Sequence, residues 1–383
     1  MVEAAATLLA SSGEAAEPDA PRTGVLPYQA LRQAVREGVI CGADILADQY
    51  QPASVDLRLG PVAYRVRASF LPGGGRGVRE KLDQFRMHEI DLTRGAVLER
   101  GCVYIVQLVE WLRLPSRISA LANPKSSTGR LDIFTRLITD RSTAFDRVEP
   151  GYQGPLYAEI APRTFSILVR AGSRLSQLRL RRGSPVSSGV ALRNLQSDRH
   201  LVRTADGSPA TIVEDRIGVT LDLDCGEAGL TGWRAKTHTD VIDIDRRGYY
   251  EVEDFWEPIR ANPRYGLILD PDDFYVLSTR EFVTVPRDWA AEMVAYDTMV
   301  GEFRVHYAGF FDPGFGEGLG NESKAVLEVR SHEVPFLLEH GQLVGWLRYE
   351  RLAQSPDRAY GEGMGSSYQR QGLALAKQFK QPR

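Results

Sequence analysis

Cysteine is nearly absent. Cys41, Cys102 and Cys225 are the three in 383 residues, and they lie far apart with no CxxC pair. That excludes a disulfide framework and points to a reducing compartment, so a cytoplasmic location is expected. Histidine is sparse too. His88, His200, His238, His306, His332 and His340 form no HxE or HExxH pattern, and none neighbours a cysteine in sequence. No zinc site is expected, and no nucleophile elbow of the GxSxG type is present. No apolar run approaches the ~18 residues of a membrane span. Neither charge sign dominates: 47 Lys plus Arg stand against 50 Asp plus Glu, a net charge of −3. A broadly basic nucleic-acid binder is thereby excluded. What remains, 43% hydrophobic and 25% charged, is ordinary for a globular chain of two or three domains.

Residues 1–22 are rich in Ala, Glu and Ser. Glu3 and Glu14 argue against a signal peptide, and a disordered leader is expected. Leu31, Val35 and Val39 then fall at helical spacing, which predicts a helix over Tyr28 to Gly38. Val55 to Gly60 alternates and reads as a strand. Leu71 to Gly77 is glycine-rich but lacks the GK[ST] ending of a phosphate loop, so it reads as a flexible turn. Beyond residue 90 short apolar or alternating runs dominate: Cys102 to Trp111, Leu156 to Ile160, Phe165 to Val169 and Leu175 to Leu180. Pro150-Gly151 and Ala171-Gly172 are turn signals between them, and residues 181–190 and 203–210 read as loops. Such spacing predicts an all-β sandwich or barrel.

The pattern recurs. Leu112-Arg-Leu-Pro115 is answered by Val283-Thr-Val-Pro286, an offset of 286 − 115 = 171. Val169-Arg-Ala-Gly172 is answered by Leu338-Glu-His-Gly341, an offset of 341 − 172 = 169. Val148-Glu-Pro-Gly-Tyr152 and Tyr157-Ala-Glu-Ile160 have counterparts in Phe311-Asp-Pro-Gly-Phe315 and Leu327-Glu-Val329. Matching features in one order indicate a tandem duplication of a β-rich unit.

Two places offer chemistry. Lys125-Ser-Ser-Thr-Gly-Arg130 packs two cations, three hydroxyls and a glycine into six residues, a set suited to anionic oxygens. The alternative is a polar loop that caps a helix. Glu159 sits in a strand-like segment after a turn. Turned inward, burial would raise its pKa and suit it to proton transfer; turned outward, it is an ordinary strand glutamate.

Gln51-Pro-Ala-Ser-Val-Asp-Leu-Arg-Leu-Gly60, Lys125 to Arg130, Glu149-Pro-Gly-Tyr-Gln-Gly154, Tyr157-Ala-Glu159 and Ala171-Gly172 occur in that order. Together they resemble the dCTP deaminase branch of the dUTPase-like superfamily, in its long, duplicated form. Tyr360 to Gly372 resembles that family's closing tail. The resemblance implies a mainly β fold: two tandem dUTPase-like β-barrel units, β-clip or jelly-roll-like, with a few short helices. Residues 23–185 would carry the catalytic motifs, 186–355 a degenerate second barrel, and 356–383 the tail. It implies deamination of dCTP to dUTP and ammonia, feeding dUMP and dTTP synthesis, without zinc. Glu159 would be the general base, with Ser126 and Arg130 holding the water and stabilising charge. Lys125, Ser127, Thr128 and Gly129 would face the triphosphate, Glu149 the deoxyribose, and Tyr157 and Ala158 the pyrimidine edge. Tyr360 and Gln371 would cover the nucleotide. Mg2+ would enter on the triphosphate, and a trimer-like homo-oligomer is expected. Nucleic acid and membranes are not expected partners. The alternatives are a bifunctional enzyme giving dUMP and a non-catalytic nucleotide-sensing protein.

This chain departs from the family at Lys125, where arginine is usual, at Ser367, where a lysine is usual, and in a longer stretch over 131–148. The second repeat has Tyr296-Asp-Thr-Met-Val-Gly301 opposite Lys125 to Arg130. Although Glu328 aligns with Glu159, repeat two is therefore expected to be a scaffold without a site. The tail is expected to be a mobile lid whose removal leaves both barrels folded.

Overall fold

The computed structural model describes residues 23–224, 229–260, 262–294, 303–305, 309–318, 320, 322–331, 333–362 and 371–380. The expected leader, residues 1–22, lies outside the described residues, as do Tyr296 to Gly301 and Ser367.

The strand Val103–Arg113 is the spine of the first repeat. Its even positions Tyr104, Val106, Leu108 and Leu112 are buried on one face, the period-two pattern of a strand on a core. Glu110 falls in that row and is buried, held by Arg58 at 2.7 Å and by Gln49 at 2.9 Å. The strand pairs antiparallel with Leu59–Val66 on one side and Gln153–Pro162 on the other, and Gln153–Pro162 pairs in turn with Ile133–Thr139. A second sheet runs from Gly24–Val25 through Ser176–Arg182 and Ile118–Pro124 to Arg147–Val148. Repeat two rebuilds the plan. Phe274–Val283 lies between Gly232–Ala235 and Lys324–Ser331, and Trp289–Val294 pairs with Leu343–Arg351. The duplication read from the sequence is thus also one of strand order.

The expected pair of closed, jelly-roll-like barrels is corrected. Among the described residues the strands form five sheets of three or more strands and one two-stranded ribbon, and every sheet is an open ladder between two edges. Alternation dictates which face of a strand is buried, but not whether sheet edges meet. Here the ladders are interrupted by register shifts, as between Pro155 and Tyr157 and between Ser278 and Phe282. The predicted first helix is present as Tyr28–Arg36. The segment read as loop through residue 190 instead starts a helix, Gly189–Arg199, whose first turn is capped by the Ser188 side chain accepting from Ala191 N–H.

The repeats are interwoven. Ile167–Val169 pairs in parallel with Ile242–Asp243, and Arg170 forks onto Asp243 with two 2.8 Å bonds. Phe255 and Trp256 from the second half pack edge-on against Phe165 of the first. The end of the tail enters the same core: Leu375, Ala376 and Phe379 are buried there, with Phe379 against Tyr250, Phe255 and Trp256. Part of the segment expected to act as a removable lid thus packs into the core of the first repeat.

Repeat two lays one face of its central sheet on repeat one. Along Lys324–Ser331 the odd positions Ala325, Leu327 and Val329 face repeat two's own core, while Val326 joins the first. Glu328 and Arg330 share the face of Val326. Arg330 pairs with Asp132 of repeat one, and both are nearly fully buried. Thr164 ties the pair together, donating to Asp132 at 2.6 Å and accepting from Arg330 at 2.9 Å.

Candidate functional site

The motif Lys125 to Arg130 follows directly on the strand Ile118–Pro124. It folds as one helical turn, Ser126–Gly129, fastened to the neighbouring segment where Lys125 N–H and the Thr128 hydroxyl both donate to Leu175 O. The amides of Ser126 and Ser127 precede the first intrahelical bond of that turn, so they remain available as donors. The turn forms one wall of a cleft of about 480 Å3. Lys125 pairs with buried Asp56 there, and Arg174 and Lys377 add cationic groups to the lining. Crowding shows on Lys377, whose ammonium is pushed down to about 8 by burial and then by Lys125 and Arg247. Such a concentration of donors suits a polyanion.

Arg130 crosses the cleft. It donates to Gln371 at 2.8 Å and to Ala374 O at 3.1 Å, and its Nε lies 3.8 Å from Glu328. Burial pushes the Glu328 carboxyl up to about 7, and the Arg130 charge works against that rise. Asp312 is the second carboxylate of this wall, pushed up to about 6 by burial with Arg179 opposing. Phe310, Phe311 and Phe315 give an apolar side, and the Tyr360 ring packs on Phe315 at 5.6 Å. The cleft therefore sets Lys125, Arg130 and Arg174 of repeat one, with Lys377 of the tail, against Glu328, Asp312 and the aromatics of repeat two. A buried carboxylate that titrates near neutral pH beside a fixed cation can take and return a proton.

Of the residues singled out from the sequence, Lys125, Ser126, Ser127, Thr128, Gly129, Arg130, Tyr360 and Gln371 all line this cleft. Glu149, Tyr157, Ala158 and Glu159 do not. Glu149 is exposed at a turn, and Ala158 is buried in the first core. Tyr157 packs in a separate cluster with Ile105, Phe70, Val78 and Leu82. Glu159, 1% exposed, lies directly opposite Arg136 in the ladder and accepts from it at 2.5 and 3.1 Å. Arg136 is itself stacked on Phe145 at 3.5 Å and bonded to Ser69.

Within one chain, Glu159 therefore does not meet Ser126 and Arg130. Each glutamate points out of its own unit. Outside Glu328 lies repeat one with Arg130; outside Glu159 lie Arg136 and the flap that carries Phe70 and the helix Val78–Phe85. Repeat two, expected to be a scaffold, adds Glu328 and Asp312 to the lining of the cleft. A signal for both was present: Glu328 answers Glu159 at 328 − 159 = 169, and Asp312 answers Glu149 at 312 − 149 = 163.

Among the described residues no group of three or more His, Cys, Asp or Glu side chains is placed to hold a metal. Nor is any helix there long and apolar enough to cross a membrane.

Residues 22–184 match the family model described as 2′-deoxycytidine 5′-triphosphate deaminase (DCD) N-terminal domain, and residues 188–379 match that of its C-terminal domain. A dCTP deaminase, dUMP-forming, from Beutenbergia cavernae is 33% identical over 116 residues, covering 30% of this chain and 58% of that protein. Another from Halobacterium salinarum is 33% identical over 134 residues, covering 34% and 65%. The chain thus spans less than two thirds of the length of these two relatives. The crystal structure of 2′-deoxycytidine 5′-triphosphate deaminase from Agrobacterium tumefaciens is 55% identical with a TM-score of 0.83, over 88% of this chain and 100% of that one.

Proposed function

Since the chain belongs to the 2′-deoxycytidine 5′-triphosphate deaminase family, we propose that it removes the amino group of dCTP and releases dUMP, diphosphate and ammonia. The expectation of dUTP as the released product is corrected by the relatives from Beutenbergia cavernae and Halobacterium salinarum, which are dUMP-forming. The observation that carries the reading is the pairing of Arg130 with Glu328 across a cleft of nucleotide size. The cationic wall, built by the proposed unit 23–185 together with Lys377 of the tail, takes the triphosphate. The proposed unit 186–355 presents the carboxylates, and the tail 356–383 contributes Tyr360 and Gln371.

Glu328, rather than Glu159, is the base in this reading. In its ionised form it takes a proton from the water that attacks C4 of cytosine and passes it to N3, then carries the proton of the new C4 hydroxyl to the departing amine, leaving the C4 carbonyl and ammonia; a second water attacks the α-phosphorus and displaces diphosphate. Arg130, fixed by Gln371 and Ala374 O, stabilises the charge that develops there. Ser126 and Ser127 bind phosphate oxygens with Lys125. Mg2+ arrives on the substrate's phosphates and neutralises them. Assembly into a homo-oligomer belongs to the proposal, but both halves of the cleft come from one chain.

The test is incubation of the full chain with dCTP and Mg2+. Ammonia with dUMP and diphosphate in equal amounts is the expected result; accumulation of dUTP, or no ammonia, overturns it. Glu328→Gln should lower kcat by about 10²–10⁴ while dCTP still binds.

A further inference from the structure

A second groove, of about 440 Å3, opens beside the helix Tyr28–Arg36. Among the described residues, three arginines line it, Arg32, Arg36 and Arg358, and no carboxylate does. Two tyrosines form its floor. Tyr28 and Tyr50 are 7% and 9% exposed and meet edge to face at 6.0 Å. The guanidinium groups of Arg32 and Arg358 stand over the Tyr28 ring at 5.8 and 5.0 Å. Val35, Ile45 and Ala47 make the remaining wall apolar. Guanidinium groups gathered without a counter-charge repel one another, and an anion placed among them relieves that repulsion while accepting forked hydrogen bonds. The tyrosine floor and apolar wall suit a flat, partly apolar group attached to that anion. The volume fits one small molecule, and the net charge of −3 opposes a long polyanion.

We propose that this groove is a second binding site, for a small nucleoside phosphate, and that its occupancy controls the cleft. Two segments of chain are shared between the two cavities. Ala47 and Tyr50 face the groove, whereas Asp48 and Gln51 line the cleft. Arg358 faces the groove, whereas Tyr360, two residues on, lines the cleft. The start of the tail is fastened to the groove's own helix: Gln29 donates to Ser355 O at 2.6 Å and accepts from Asp357 N–H at 3.1 Å. A phosphate that draws in Arg358 therefore moves the residue from which Tyr360 hangs. Binding in the groove stands on this geometry alone; control of the cleft rests on the proposed reaction.

Calorimetry on full-length Glu328→Gln protein, its cleft filled with dCTP and Mg2+, separates the two. The probes are ATP and inorganic triphosphate. One further equivalent of ATP per chain is expected, and Arg32→Ala/Arg36→Ala should weaken it by about tenfold or more. Both arginines are exposed and outside the cleft, so the double variant in the wild-type background should keep its basal turnover. In wild-type protein the same nucleotide should shift the KM for dCTP, and in the double variant it should not. No further equivalent, or equal binding by the double variant, overturns the site. Inorganic triphosphate binding as tightly as ATP overturns its nucleoside character. Binding without a shift in KM overturns the control. A wild-type protein inactive on dCTP removes the proposed reaction and leaves the calorimetry to decide the groove.

Discussion

Glu159 and Glu328 occupy the same position of the repeat in different surroundings, and their chemistry follows the surroundings. Glu159 accepts two bonds from Arg136. Glu328 has Arg130 only at 3.8 Å and is pushed up to about 7 by burial. A base with that pKa is protonated and idle in acid, so turnover should rise with pH and level off above about 7. A pH–rate profile for dCTP that is flat from pH 5.5 to 8 would remove Glu328 from the role. Glu159→Gln should keep most of its turnover but lose about 1–3 kcal/mol of stability, because a charge-assisted pair becomes an ordinary contact; kcat and a denaturant titration check the two halves separately. The equivalence of the two glutamates was legible in the sequence, through the offset. Which of them meets Lys125 to Arg130 was not, because that depends on how one sheet docks on another and not on any local pattern.

Among elements, the strand Lys324–Ser331 bears the most weight. It holds Glu328 in the cleft and, two residues later, Arg330 in the buried pair with Asp132. Removing one partner of such a pair leaves a buried charge uncompensated, so Asp132→Ala should cost about 3–5 kcal/mol. Its denaturation midpoint should fall accordingly, whereas an unchanged midpoint would mean that the pair does not fasten the repeats. The tail is the other decisive element. Its glycine-rich sequence suggested a lid, and Tyr360 and Gln371 do reach the cleft, but Leu373 to Phe379, although apolar at five of its seven positions, is too short a run to announce a core strap. Phe379→Ala should cost about 3–5 kcal/mol, and truncation after Pro356 should yield a protein without a cooperative thermal transition. The six-residue motif was readable because its chemistry is local. The helix Gly189–Arg199 was missed because residues 181–190, rich in Arg, Ser, Gly and Pro, read as loop and hid the Ser188 cap.

At the scale of the whole molecule, several carboxyls are held above their usual range by burial: Asp146 and Glu328 to about 7 and Asp312 to about 6. The folded chain binds protons there that the unfolded chain has released. Stability should therefore fall as pH rises from about 4.5 through 7, and the Tm of the unliganded protein should be higher at pH 5.5 than at pH 7.5. A Tm that climbs across that window would contradict the burial of these groups. The interweaving of the repeats also bears on synthesis. The core around Trp256 and Phe165 is closed by Leu375, Ala376 and Phe379, which are made after every other residue of that core. A chain made from its N-terminus ordinarily folds one domain at a time as it emerges. This one cannot seal its first core until residue 379 has emerged, so an open apolar surface on repeat one waits through the synthesis of the whole of repeat two, exposed to aggregation in the interval.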